Sequence, residues 1–366
     1  MSEALKPPVA FTPNVETTTE DESETSQGLN KALHDILETT SENYGHAVRS
    51  VHAKSHGLLE GTLTINDNLP AELAQGVFAT PGDHPVVMRF STNPGDILDD
   101  SISVPRGLAF KLLDVVGDRL PGSESETTQD FIMINGPAFA TPNAKPFLAN
   151  LKLLAKTTDK AEGAKKVLSA VLRGTEAALE AIGLPSPALQ TLGGAPNVHP
   201  LGETYYSATP FRFGSYIAKF SLAPVSGNLT AHTKEKVDTH NRPDALREEI
   251  NAVMTAGDAM WELRVQLCRD LETMPIEKAD AVWDEAESPY TTVATIRVAA
   301  QPSWTADRAK AIDDGMRFSV WTGLAAHQPL GQVNRVRKSA YQMSSDFRAD
   351  FNRCPIHEPK ALPALD

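Results

Sequence analysis

Eight short β-prone runs, spaced along residues 58–299, constrain the fold of this chain more than any other feature. They fall near 58–65, 76–79, 85–91, 104–113, 130–135, 213–222, 260–268 and 291–299, the run at 76–79 being the weakest. So many strands in one chain predict a barrel, and the expected class is α+β: an eight-stranded antiparallel β-barrel wrapped by helices. Within 29–44 the apolar positions Leu29, Leu33, Ile36 and Leu37 recur at helical spacing. Residues 145–182 read as one or two helices closed by Gly183 and Pro185, and 244–256 as another; both are expected as insertions packed outside the barrel. After Pro302 the pattern is helical again over 305–316 and 334–351. Residues 1–27 combine prolines, a threonine run and the acidic block Glu20, Asp21, Glu22 and Glu24, with few large apolar groups to offset the entropy of ordering. They read as a mobile or partner-wrapped acidic arm ahead of a single domain over 28–366.

A hydrophobic content of 41% over 366 residues is enough for a sizeable core. The formal net charge of -13 argues against a nucleic-acid or anionic-membrane surface, so basic groups that cluster locally stand out. No apolar run reaches the ~20 residues of a membrane span, and the first residues lack the order of a signal peptide. A cytoplasmic location is the expectation. Cys268 and Cys354 lack zinc-type spacing and read as reduced residues. There is no internal repeat and no GxGxxG, P-loop or CxxC signature, so the chemistry lies elsewhere.

Two stretches carry it. The first, R-S-V-H-A-K-S-H-G at 49–57, has no acidic residue and places Arg49 three positions before His52, just ahead of a strand. There an imidazole can be aimed inward as a base while arginine faces an anion. The second, N-R-V-R-K-S-A-Y-Q-M-S-S-D-F-R at 334–348, sets Arg337, Tyr341 and Arg348 on one helical stripe, with the phenol between two guanidinium groups. That setting favours a phenolate able to ligate ferric iron. Taken alone, each stretch also reads as structure: a satisfied histidine, and a packed tyrosine beside surface arginines. His52 and His56, four residues apart, form a rival metal-ligand pair, although no glutamate follows His52 as zinc peptidases need.

Together the stretches resemble the haem catalases. Blocks between them resemble that family in the same order: V-M-R-F-S-T at 87–92, P-R-G-L-A-F-K at 105–111, N-G-P-A-F at 135–139 and V-W-D-E-A-E-S-P-Y at 282–290. The resemblance covers about 45–352 and is closest to the short catalase-like haem proteins that lack the extra C-terminal domain of large catalases. It implies a catalase-like barrel enclosing a haem b and its iron. Carried over by residue, it makes His52 the distal base, Val51 its neighbour over the haem and Ser91 the hydroxyl that orients the imidazole. Asn135 becomes the distal amide, Phe139 a ring beside the haem, Tyr341 the iron ligand and Arg337 the partner of its phenolate. Arg49, Arg89 and Arg348 become the ligands of the haem propionates.

The implied activity is consumption of hydrogen peroxide or an organic hydroperoxide, as catalase or peroxidase, by a homo-oligomer. A fatty-acid hydroperoxide isomerase or lyase of the catalase-related allene oxide synthase type, or a non-catalytic haem carrier, uses the same residues. Departures from the pattern include a single asparagine at 135, Gln342, Met343 and Ser344 after the tyrosine, and Ala140 where catalases carry a second phenylalanine. The smaller side chain at 140 predicts more room near the haem and turnover of bulky hydroperoxides.

Overall fold

The computed structural model describes residues 5–157 and 196–364. The strands are β1 Ser55–Ile65, β2 Asp83–Thr92, β3 Arg106–Leu112, β4 Gln129–Ile134, β5 Tyr205–Tyr206, β6 Phe211–Phe213, β7 Tyr216–Pro224, β8 Ala259–Leu267 and β9 Thr291–Val298. Every pairing is antiparallel, and the order β5-β4-β3-β2-β1-β9-β8-β7-β6 is closed by a further pairing of β5 with β7. Eight strands thus form a closed barrel, and β6 is a short flap on β7. The run expected over 213–222 splits into β6 and β7 at Gly214, whose φ of 60° makes the hairpin turn. Residues 76–79, expected as a strand, instead form a 3-10 turn whose Val77 and Phe78 are buried in the barrel. The eighth barrel strand is β5, only two residues long.

Alternation along β2 and β3 divides inside from outside. Met88, Phe90, Leu108, Phe110 and Leu112 join Phe131, Met133, Phe220, Leu263 and Ile296 in one buried interior cluster. Phe110 stacks on Phe131 at 4.7 Å, and Phe131 meets Phe220 edge-on at 5.0 Å. The alternate positions Arg89, Ser91, Gly107, Ala109 and Lys111 therefore face out through the wall. Leu58, Val87 and Leu113 carry a second apolar cluster on that outer side with Ile312, Met316 and Phe318.

The wrapping helices are α1 Glu22–Tyr44, α2 Ala144–Thr157, α3 Ala245–Ala256 and α4 Gln332–Asn352. Glu22 and Glu24 favour the start of α1 by the helix dipole, and Gly45, at φ 65°, ends it. Leu29, Leu33 and Ile36 of α1 pack with Leu151 of α2 and Val336 of α4. Where a mobile arm is expected over 1–27, the described residues lie on the body: Val9 N donates to Cys268 O and Phe11 N to Ser215 O. Glu16 and Glu22 pair with Arg335 of α4, so one member of the acidic block, Glu22, serves a half-buried contact within the chain. The helical insertion expected to about 183 is described only as far as Thr157, and its remainder lies outside the described residues. Among the described residues, no helix is long and apolar enough to cross a membrane.

Candidate haem and active site on the outer wall

His52 sits in the left-handed region, φ 55°, with its backbone N–H tied to Asn93 O at 2.7 Å. That backbone turns the imidazole onto the outer face of β2 and β3. Its Nδ1 is 3.1 Å from Ser91 Oγ, which in turn lies 3.5 Å from the carbonyl of Gly107. When the hydroxyl hydrogen goes to that carbonyl, Nδ1 donates to Ser91 and Nε2 keeps its lone pair. A Cβ on Gly107 would stand 2.5 Å from His52 Cε1, so only glycine leaves space for the ring. Burial, and then the charges of Arg89, Arg337 and Arg49, push the imidazole down to about 3. It is a neutral acceptor at ordinary pH.

Arg49, Arg89 and Arg348 converge as expected, and what they converge on is Asp313, a residue the sequence did not single out. Arg89 Nε and Arg49 Nη1 reach Asp313 Oδ1 at 2.5 and 3.0 Å, and Arg348 Nη1 donates to the Asp313 carbonyl at 2.6 Å. Arg49 and Arg348 both also donate to Met316 O. Asp313 comes from a π-helical turn, Ala309–Asp314, whose extra residue delivers these carbonyls and the carboxylate to one point. Burial pushes the Asp313 carboxyl up, yet Arg89 and Arg49 outweigh it and hold it below its ordinary range. The guanidiniums are less well matched: burial, then Arg89 and Arg348, push Arg49 well down, and burial pushes Arg348 down to about 10. Asp314 turns to His46 instead, and Arg348 Nε is buried without a partner.

Arg337 Nη2 donates to Tyr341 Oη at 2.6 Å, the geometry expected for a guanidinium supporting a phenolate. Arg348 does not join it, because it is spent on Asp313, so the phenol is flanked by one guanidinium and not two. Arg337 has no carboxylate within ion-pair distance among the described residues; its Nη1 donates to Asn334 Oδ1 at 3.1 Å. Asn334 is fully buried and fixed by Thr209, Pro210 O and Leu330 O. Tyr341 also borders a cavity of about 490 Å³ that it shares with Phe318, Trp321 and Lys338.

Asn135 follows β4 and brackets the backbone of Arg106: its Oδ1 accepts from Arg106 N at 3.0 Å and its N–H donates to Arg106 O at 3.2 Å. Its Nδ2 donates to Glu203 Oε1 at 2.9 Å, which leaves one amide hydrogen free. Burial pushes the Glu203 carboxyl up, with Arg106 and Asn135 pulling it back. Val51 packs on the cluster of α1, α2 and α4, and Phe139 meets Phe147 of α2 edge-on at 5.1 Å. Ala140 is exposed, so the roomier pocket expected from it is corrected: a ring there would extend into solvent. His56 does not pair with His52, since its Nε2 faces Thr92 Oγ1 at 3.1 Å within a strand start instead of a helix.

No protein-family model matches the chain, and neither does any curated protein. Among solved structures it is similar to catalase A from Saccharomyces cerevisiae, with a TM-score of 0.57 and 15% identity over 88% of this chain and 66% of that one. A fungal catalase matches with a TM-score of 0.57 and 17% identity over 87% of this chain and 63% of its own. A bacterial catalase does so with 0.57 and 16% identity over 97% and 66%. The closed barrel with its wrapping helices is the catalase fold, and the chain spans a little under two thirds of the length of these structures.

Proposed function

We propose that this chain is a haem-dependent hydroperoxide-consuming enzyme of the catalase or peroxidase type. The observation that carries the reading is that Arg337, which donates to the phenol of Tyr341, is also close enough for its charge to act on the neutral imidazole of His52. The residues present fit a haem. Three largely buried guanidiniums gather on Asp313 with only one further carboxylate, Asp314, near enough to act on them, which leaves positive charge in excess, and a haem brings two propionates. Arg348 Nε is an orphaned donor in that cluster, and Tyr341 supplies the anionic oxygen that ferric iron takes. The cofactor would thus be buried in the molecule but outside the barrel wall, because aromatic rings fill the interior that had been expected to enclose it.

When bound, the haem supplies the ferric centre at which an oxygen–oxygen bond is cleaved. His52 Nε2 takes the hydroperoxide proton and returns it to the departing oxygen, which needs a base that is uncharged beforehand. Ser91 fixes the tautomer, and the free Asn135 N–H offers hydrogen bonding to negative charge as it develops. Arg337 Nη2 donates to Tyr341 Oη, the hydrogen bond that a phenolic oxygen bound to iron would accept.

The test is haem content, visible spectrum and turnover of the purified chain, beside Tyr341→Phe. The wild type is expected to bind one haem per chain and to consume hydroperoxide; Tyr341→Phe is expected to lose the haem. Oxygen released from hydrogen peroxide marks a catalase, and oxidation of an added donor marks a peroxidase. Rearranged fatty-acid product without donor oxidation moves the reading to an isomerase. A variant that keeps the wild-type haem content and spectrum overturns the ligand assignment.

A further inference from the structure

Three buried polar atoms beside Asn135 make no hydrogen bond: Glu203 Oε2, Arg106 Nε and Arg106 Nη1, two of which face each other as an ion pair. They belong to one cluster, since Arg106 Nη1 stands 3.4 Å from Glu203 Oε2 and Arg106 is only 2% exposed. Arg106 is anchored elsewhere by Nη2 on Pro196 O at 3.0 Å. The other carboxylate oxygen, Oε1, accepts from Asn135 Nδ2. An amide has two ends, and the carboxylate decides which way this one points. Turned over, Asn135 would set its carbonyl against Glu203 and its N–H₂ against the Arg106 N–H, two repulsions in place of two hydrogen bonds. The same amide clamps Arg106, the residue directly before Gly107, on which the His52 ring rests. A continuous chain of contacts therefore runs from Glu203 through Asn135 and the start of β3 to the imidazole.

We infer that Glu203 is a positioning residue: it fixes the orientation of the Asn135 amide so that the remaining N–H faces the ligand that His52 serves. This rests on the proposed haem-dependent function and adds to it a carboxylate that takes no proton from substrate. Because Glu203 acts through Asn135, removing either should give the same loss, and removing both should cost no more than removing one.

The holoprotein is the material for the test, with cyanide as an anionic probe of the distal side. Glu203→Gln should keep haem content and visible spectrum while weakening cyanide and lowering kcat, each by about tenfold, the range of one charge-assisted hydrogen bond; the unfolding midpoint should fall as well, because buried Arg106 loses its carboxylate. Glu203→Asp keeps the charge but is too short to reach Asn135, so it should match Glu203→Gln and carries the test if that variant folds poorly. Asn135→Ala should show the same losses, and the double variant no larger ones. Wild-type cyanide affinity in both Glu203 variants overturns the inference. So do losses that multiply in the double variant, and losses that follow the haem content alone. A wild type that binds haem and cyanide but turns over no hydroperoxide sinks the proposed function, and the cyanide affinities then decide Glu203 by themselves.

Discussion

His327 in the barrel interior and His52 on its outer wall are both pushed down to about 3, and they reach that value by different routes. His327 is fully buried among Phe78, Phe131, Phe213 and Phe220, with Nε2 accepting from Val77 N at 2.9 Å, so the loss of water dominates. His52 loses water too, but three arginines add to the shift. An anion placed among those arginines would raise His52 and leave His327 unmoved. Apart from His327 Nδ1 and Trp261 Nε1, which make no hydrogen bond, the interior is apolar and its rings pack on one another, whereas the outer wall gathers three arginines about Asp313. Burial of the interior carries most of the stability, and the proposed chemistry belongs to the outer wall.

The largest expected effect is on the interior: Phe131→Ala removes a ring from the stacked cluster and should lower unfolding free energy by about 3–5 kcal/mol in denaturant titration. A loss as large from a site variant would break the contrast. On the wall, His52→Ala should leave haem in place and shift unfolding by under about 1 kcal/mol, while hydroperoxide turnover falls by about 100-fold or more. Steady-state rates at matched haem content decide this, and unchanged turnover would move the protein to a non-catalytic haem carrier.

Acid offers a finer comparison. Both histidines have folded values below the ordinary 6.5, so the unfolded chain binds more protons between those limits. Their contribution is complete above about pH 6.5 and is lost as pH falls towards 3, with His327 accounting for about 2 kcal/mol at pH 5. His327→Gln should flatten the acid side of stability whether or not haem is added, whereas haem should flatten the part that belongs to His52. Stability measured against pH with and without haem separates the two. The smallest effect belongs to Ala140→Phe, which should change stability by less than about 0.5 kcal/mol and leave the ratio of organic hydroperoxide to hydrogen peroxide turnover as it was.

Much of this contrast was readable in the chain. Long strands announced themselves through runs such as V-M-R-F-S-T, and the alternation of Met88 and Phe90 with Arg89 and Ser91 already separates an oily face from a polar one. β5 escaped because two residues carry no period, and 76–79 misled because Val77 and Phe78 are apolar for plugging the barrel and not for pairing. Of the site, Arg337 and Tyr341 meet as their spacing suggested, His52 meets Ser91 as the family resemblance implied, and Arg49 and Arg89, which the resemblance also grouped, meet on Asp313. Asp313, Asn334 and Glu203 were invisible, since an aspartate near a helix end, an asparagine in the first turn of a helix and a glutamate in a loop are ordinary residues until the fold shows what each one faces. The one available signal was the adjacent pair Asp313 and Asp314 between Ile312 and Gly315.

β5 closes the barrel through one residue pair to β4, Ile134 with Tyr206, and two to β7, Tyr205 with Leu222 and Tyr206 with Ser221. Every other seam of the barrel is longer, so this is where the backbone opens first, and its amide hydrogens should exchange with solvent ahead of those in β1 and β2. Glu203 lies two residues before that seam, and each brief parting of the strands carries it away from Asn135. The balance between the closed and parted seam would then set how much of the time the Asn135 amide is held in one orientation.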